Sequence, residues 1–150
     1  MPFFAAMFSK ACEYAIRAVV CTAACGEKGK SMTLKAIATE TDIPEAFTAK
    51  ILQKLVHADL VLSTKGPGGG FSMPAALFRK EKLSHIVSTI DGDAIYRGCA
   101  LGLSQCDATR PCTLHDHFHR VREDLRRMLE RTSVQDLVKD LKEGGKVLKR

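Results

Sequence analysis

Leu60-Val61-Leu62-Ser63-Thr64-Lys65-Gly66-Pro67-Gly68-Gly69-Gly70-Phe71-Ser72-Met73 reads as an apolar run, a glycine-proline turn and a short apolar return. The pattern predicts a β-hairpin, with a strand over Leu60–Lys65, a turn over 66–70 and a return over Phe71–Met73. What precedes it gives the hairpin its meaning. Thr33 can cap a helix Leu34–Glu40 by accepting a bond from a free amide one turn on. The short link Thr41-Asp42-Ile43-Pro44 leads to a further helix, with Pro44 at its first position, where a missing N–H costs nothing. That helix should run to Ala58 and turn Phe47, Ile51, Leu52, Leu55 and Val56 inward. Two such helices joined by a tight turn form a helix-turn-helix, and a hairpin directly after it is a wing.

Upstream, Ala11, Tyr14, Ala15, Ala18, Val19 and Thr22 recur at helical steps, predicting a helix over Ser9–Cys25 that Gly26 and Gly29 end. Downstream, Leu83, Ile86, Val87 and Ile90 share one face of a helix Lys80–Ile90, broken by Asp91-Gly92-Asp93. A long helix follows over Thr113–Arg131. Its apolar residues Leu114, Phe118, Val121, Leu125 and Met128 alternate steps of four and three, the period of a helix packing along a partner. The stripe would also suit the chain's own core. The charged opposite face (Arg120, Arg122, Glu123, Arg126, Arg127), and the little sequence left to cover the stripe, favour a homodimer. A short helix Val134–Lys142 precedes Gly144-Gly145 and a basic tail expected to fray. No internal repeat is evident.

The 150 residues are 45% hydrophobic and 27% charged, a composition that suits one compact soluble unit. No apolar run approaches the roughly 20 residues of a membrane helix. Met1-Pro2-Phe3-Phe4 lacks the cationic flank of a signal peptide, so a cytoplasmic protein without a membrane partner is expected. A net charge of +6 and a pI near 9.1 favour a polyanionic partner. In a reducing compartment clustered cysteines are more often metal ligands or redox thiols than disulfides. Three of the six cysteines fall in one Gly- and Ser-rich stretch, Cys99, Cys106 and Cys112, with His115 three residues on. Thiolates and imidazole in this density suit zinc or an iron–sulfur cluster.

Several of these segments resemble one family. Ser9-Lys10-Ala11-Cys12-Glu13-Tyr14-Ala15-Ile16-Arg17-Ala18, the Lys65–Phe71 wing, the Ile90-Asp91-Gly92 break and the three-cysteine loop match, in order, the Rrf2-type bacterial transcription regulators. The resemblance covers roughly residues 7–141. It implies a mainly α fold with a small β-hairpin wing: a winged helix-turn-helix over 7–78, a sensor loop near 92–115 and a dimerisation helix within 79–142, and a basic tail over 143–150. It further implies a homodimer on double-stranded DNA, reading a pseudopalindromic operator with half-sites about one or more helical turns of roughly 34 Å apart.

In such a domain the N-terminal part of the Pro44–Ala58 helix enters the major groove, putting Glu45, Ala46, Thr48, Ala49 and Lys50 near bases or flanking phosphates and Lys54 on phosphate. The wing brings Lys65, Pro67, Gly68 and Gly69 to the backbone or minor groove. Lys65 stands where many relatives have arginine, and an ammonium binds phosphate without the planar fork. No Gly-Lys-Ser/Thr follows the glycines, so they do not form a nucleotide-binding loop. The resemblance assigns Cys99, Cys106 and Cys112 to an iron–sulfur cluster, 2Fe-2S or 4Fe-4S. The fourth ligand is either His115, at a local spacing, or Glu13 supplied by the other subunit. Zinc in a Cys3His site, cluster-free thiol sensing and a small redox enzyme are the alternatives; for the last, no catalytic triad, paired carboxylates or C-x2-C pair is present.

Overall fold

The computed structural model describes residues 7–150. In chain order the elements are α1 (Lys10–Gly26), α2 (Leu34–Thr41), α3 (Glu45–His57), β1 (Leu62–Thr64), β2 (Gly70–Ser72), α4 (Ala75–Phe78), α5 (Leu83–Asp91), a 3-10 turn (Ala94–Tyr96), α6 (His115–Arg131) and α7 (Val134–Glu143).

Helix α1 is the hub, because a run of small residues lets other helices approach closely. Ala15, Ala18, Val19, Val20 and Ala23 are all buried, and α2, α3, α5 and α7 pack around them. Ser9 caps α1 by accepting from the Cys12 amide at 3.1 Å. Ser9 also donates its own amide, at 2.9 Å, and its hydroxyl to Asp91, the last residue of α5. The start of one helix is thereby pinned to the end of another. Cys12 is fully buried under this corner, and burial beside Asp91 pushes its thiol up to about 12. Burial likewise pushes the Cys21 thiol up to about 11.

Thr33 caps α2 by accepting from the Ala36 amide, and α2 closes on Asp42 in the left-handed region at φ 53. Pro44 is the residue before α3 rather than its first helical one; its ψ of 138 is extended, as a chain entering a helix from a tight turn requires. Leu52 and Leu55 are fully buried, each contributing about 1.5–3 kcal/mol.

The first strand is shorter than the apolar run predicted. Asp59 turns at φ 58, and Leu60 and Val61 fold back into the core, with the Leu60 amide bonded to the Leu55 carbonyl at 2.9 Å. These two residues close α3, which leaves Leu62–Thr64 to pair with Gly70–Ser72, Ser63 opposite Phe71. Phe71 exchanges two further backbone bonds with Met32, at 2.9 and 2.7 Å, fastening the wing to the entrance of α2. Gly70 makes that approach possible: a Cβ there would lie 2.4 Å from the Met32 carbonyl oxygen.

The second half returns to the same core. The Leu83 amide donates to Thr132, and the Val134 amide donates to Glu81, so the start of α5 grips the joint between α6 and α7. Ser133 and Asp136 form a reciprocal capping box at α7. Leu129, Val134 and Val138 complete the core, which therefore continues across residues 78 and 79. The tail is not frayed as expected: Leu148 packs on the core and Lys149 donates to the Thr39 carbonyl at 2.9 Å. No helix among the described residues is long and apolar enough to cross a membrane.

Candidate DNA-reading face and cysteine loop

Helix α3 offers Glu45, Ala46, Lys50, Gln53 and Lys54 to solvent. Thr48, expected among the base-reading residues, is buried, and its hydroxyl donates to the Pro44 carbonyl at 3.0 Å. It braces the start of α3 and presents nothing to a ligand. Phe47, expected inward, is 53% exposed, with its ring edge-on to Tyr14 at 6.1 Å and Lys50 Nζ 5.9 Å above it. Both placements have one cause. Thr48, Ile51, Leu52 and Leu55 form the buried i, i+3, i+4, i+7 set, and Phe47 sits one position off it. That signal was present in the sequence, but hydrophobicity outweighed phase.

At the wing tip Lys65, Gly66, Pro67 and Gly68 are exposed. The turn closes through the Gly69 amide to the Gly66 carbonyl at 2.9 Å, and Gly66 and Gly68 take φ of 91 and 73. An L side chain at either would be strained.

No residue from Gly92 to Leu114 is buried, yet the segment has a defined shape. Cys99 Sγ lies 3.9 Å from Cys112 Sγ, and Cys106 Sγ lies 3.4 Å from His115 Nδ1, so the four candidate ligands stand as two pairs. Among the described residues no three Cys, His, Asp or Glu side chains converge on a single metal-sized point. His115 is the first residue of α6 and stacks on His119, one turn later, at 6.3 Å. Hydrogen bonds from the Leu103 and Leu101 amides, with Cys112 and Arg122 nearby, hold Cys99 below the usual thiol range. Asp107 is held below the usual carboxylate range by the hydroxyl and amide of Thr109.

Arg122 joins the two pairs. Its guanidinium donates to Cys106 Sγ at 3.3 Å and to the Gly98 carbonyl, immediately before Cys99. The charge pattern places Arg122 on a generic charged face; its spacing of seven residues, about two helical turns, from His115 is the available hint. Farther along α6, Arg126 lies 4.3 Å over the Tyr96 ring, tying the helix to the turn before the loop. Glu13 pairs with Lys10 at 3.1 Å. Its candidacy as a ligand therefore depends on a second subunit.

Along α6, Phe118, Val121 and Met128 are 41%, 57% and 45% exposed, and Leu114 and Leu125 are half-buried. Leu129, outside the predicted stripe, is the residue that anchors α6 to the core. The chain's own core takes up Leu125 but leaves Phe118, Val121 and Met128 uncovered.

The sequence matches, over residues 8–140, the family described as Rrf2, iron-dependent transcriptional regulators. A protein of Aquifex aeolicus named as an HTH-type transcriptional regulator is 30% identical over 135 residues, covering 88% of this chain and 91% of its own. The HTH-type transcriptional repressor NsrR of Streptomyces coelicolor is 24% identical over 130 residues, covering 87% of this chain and 86% of its own. Among solved structures, CymR, the global cysteine regulator of B. subtilis, superposes with a TM-score of 0.70 at 18% identity, covering 87% of this chain and 95% of that one. IscR of T. potens gives 0.70 at 20% identity, covering 93% and 90%. These structural likenesses establish the fold, a helical protein carrying a two-stranded wing.

Proposed function

This chain belongs to the Rrf2 family of transcriptional regulators, and we propose that it is a cytoplasmic homodimer whose grip on operator DNA is set by an iron–sulfur cluster on its cysteine loop. The observation that carries the reading is the loop itself: three thiols and an imidazole in two close pairs, fastened by Arg122 to α6. Their donor chemistry fits an iron–sulfur group, with Cys99, Cys106, Cys112 and His115 as ligands and Glu13 of a second subunit as the alternative to His115. Bound there, such a cluster supplies iron that responds to iron supply, nitric oxide or oxidants.

The protein's own residues do the remaining work. Glu45, Ala46 and Lys50 meet base edges or flanking phosphates, while Lys54, Lys65 and the Pro67-Gly68-Gly69 backbone hold the duplex. Neutralising several phosphates per subunit makes binding fall steeply with salt. The α6 stripe packs against its symmetry mate and sets the spacing of the two recognition helices. Arg122 passes a change of loop shape into α6, and so into that spacing; a coupling of about 1–3 kcal/mol is the ordinary scale for such a switch.

Anaerobically purified protein should be coloured and contain iron and acid-labile sulfide, and Cys106→Ala should lose the chromophore. Footprints on the promoter of its own gene should differ between loaded and metal-free protein. A colourless protein with one zinc per chain would overturn the cluster in favour of a Cys3His zinc site. Absence of protection in both forms would overturn operator binding.

A further inference from the structure

A second group of sulfur ligands lies on the far half of α1. Cys21 and Cys25 are four residues apart on one helix, a spacing that sets their Cβ atoms about 5–6 Å from each other on one face. Met32 reaches in from the entrance of α2 and puts its Sδ 3.5 Å from Cys21 Sγ. All three residues line one surface cavity of about 670 Å³. Two sulfur donors on one metal, at bonds of about 2.3 Å and a trigonal angle, lie roughly 4 Å apart, so the observed separation needs little adjustment.

We propose that Cys21, Cys25 and Met32 form a binding site for a soft monovalent cation, copper(I), separate from the cysteine loop. Two thiols and a thioether are the donors that select copper(I), whereas zinc would want four nitrogen or thiolate donors, and calcium or magnesium would want oxygen. Binding exchanges protons for metal: Cu⁺ with Cys21–SH and Cys25–SH gives a bis-thiolate complex of charge −1 and releases two H⁺. No electron is transferred. The surroundings suit that extra negative charge, because Lys28, Lys30, Lys142, Lys146 and Lys149 line the same cavity. Lys142 is paired with Glu27 and Lys146 with Asp140, which leaves Lys28, Lys30 and Lys149 facing Glu40 as the one acidic residue of the lining.

The position gives the site a consequence. The Met32 backbone is the clasp that holds wing residue Phe71. A metal bridging Met32 to α1 would therefore fix the base of the wing against the hub helix.

The test is anaerobic copper(I) titration of the full chain against a chromophoric copper(I) chelator, in a Cys99→Ser/Cys106→Ser/Cys112→Ser background that removes the loop ligands. One equivalent should bind. Adding Cys21→Ala/Cys25→Ala, which keeps the packing apolar, should weaken it at least 100-fold; adding Met32→Leu instead should weaken it about tenfold. Circular dichroism and a silver(I) titration of the Met32→Leu protein keep the result readable if the alanine pair folds poorly. No binding in the loop-free background, or affinity unchanged by the alanine pair, would overturn the proposal. Because the loop thiols are absent throughout, neither outcome bears on the iron–sulfur reading.

Discussion

The two halves of this molecule spend their cysteines in opposite ways. At the start of α1, Cys12 is buried in the apolar core with alanines and valines, and burial pushes its thiol up to about 12. Between Gly92 and Leu114 nothing is buried, and backbone amides hold Cys99 below the usual thiol range. The first region is shaped by apolar burial and keeps its form without help. The second is shaped by a few hydrogen bonds, with Arg122 as the main tie, and has little apolar area to offset the entropy of ordering it. A segment of that kind is suited to take its final form from a ligand, and hence to report the ligand's presence.

The sharpest way to break this contrast is to change one side chain of the buried core and one of the loop in metal-free protein. Leu52→Ala should cost about 2–5 kcal/mol in denaturant unfolding, whereas Cys99→Ser should change stability by less than about 0.5 kcal/mol. Comparable losses at the two sites would end the distinction. Glycines give a second comparison. Gly70→Ala forces a Cβ against the Met32 carbonyl at φ +139 and should cost about 1–3 kcal/mol, with operator affinity falling as the wing loosens. Gly98→Ala meets open space and should be close to neutral.

Thiol titration sharpens the contrast further. Cys12 has a folded value of about 12 against an ordinary 9.0, so the unfolded chain ionises first. Its contribution is fully present below pH 9 and is lost as pH rises from 9 towards 12. Cys12→Ala should flatten that alkaline slope, and alkylation at neutral pH should label Cys99 well before Cys12. A modest effect belongs to the α7 cap. Asp136 is held below the ordinary 3.8 by Ser133, so its stabilisation is present above that pH and fades as pH falls through its lowered value. Asp136→Ala should cost about 1 kcal/mol at pH 7 and nothing in strong acid.

Periodicity and turn chemistry carried the helix-turn-helix and the wing, because a helix face and a hairpin turn are local properties. The Thr33 cap, the Gly-rich tip and the long amphipathic α6 all stand near their expected positions. Within α3 the phase of the helix decides: Thr48 shares the buried face of Ile51, Leu52 and Leu55, and Phe47 lies one position off it. Elsewhere depth depends on a neighbour. The tail is docked because Leu148 finds the core and Lys149 finds Thr39.

The same division holds at the candidate site. By itself the sequence determined which donors crowd the loop, since ligand type and spacing are written in the chain. Only the tertiary structure decided how those donors pair, that Arg122 ties both pairs to α6, that Met32 joins Cys21, and that Phe118, Val121 and Met128 of the α6 stripe are left uncovered. Each of these is a meeting between elements whose separation the packing angles fix, and no local periodicity encodes those angles.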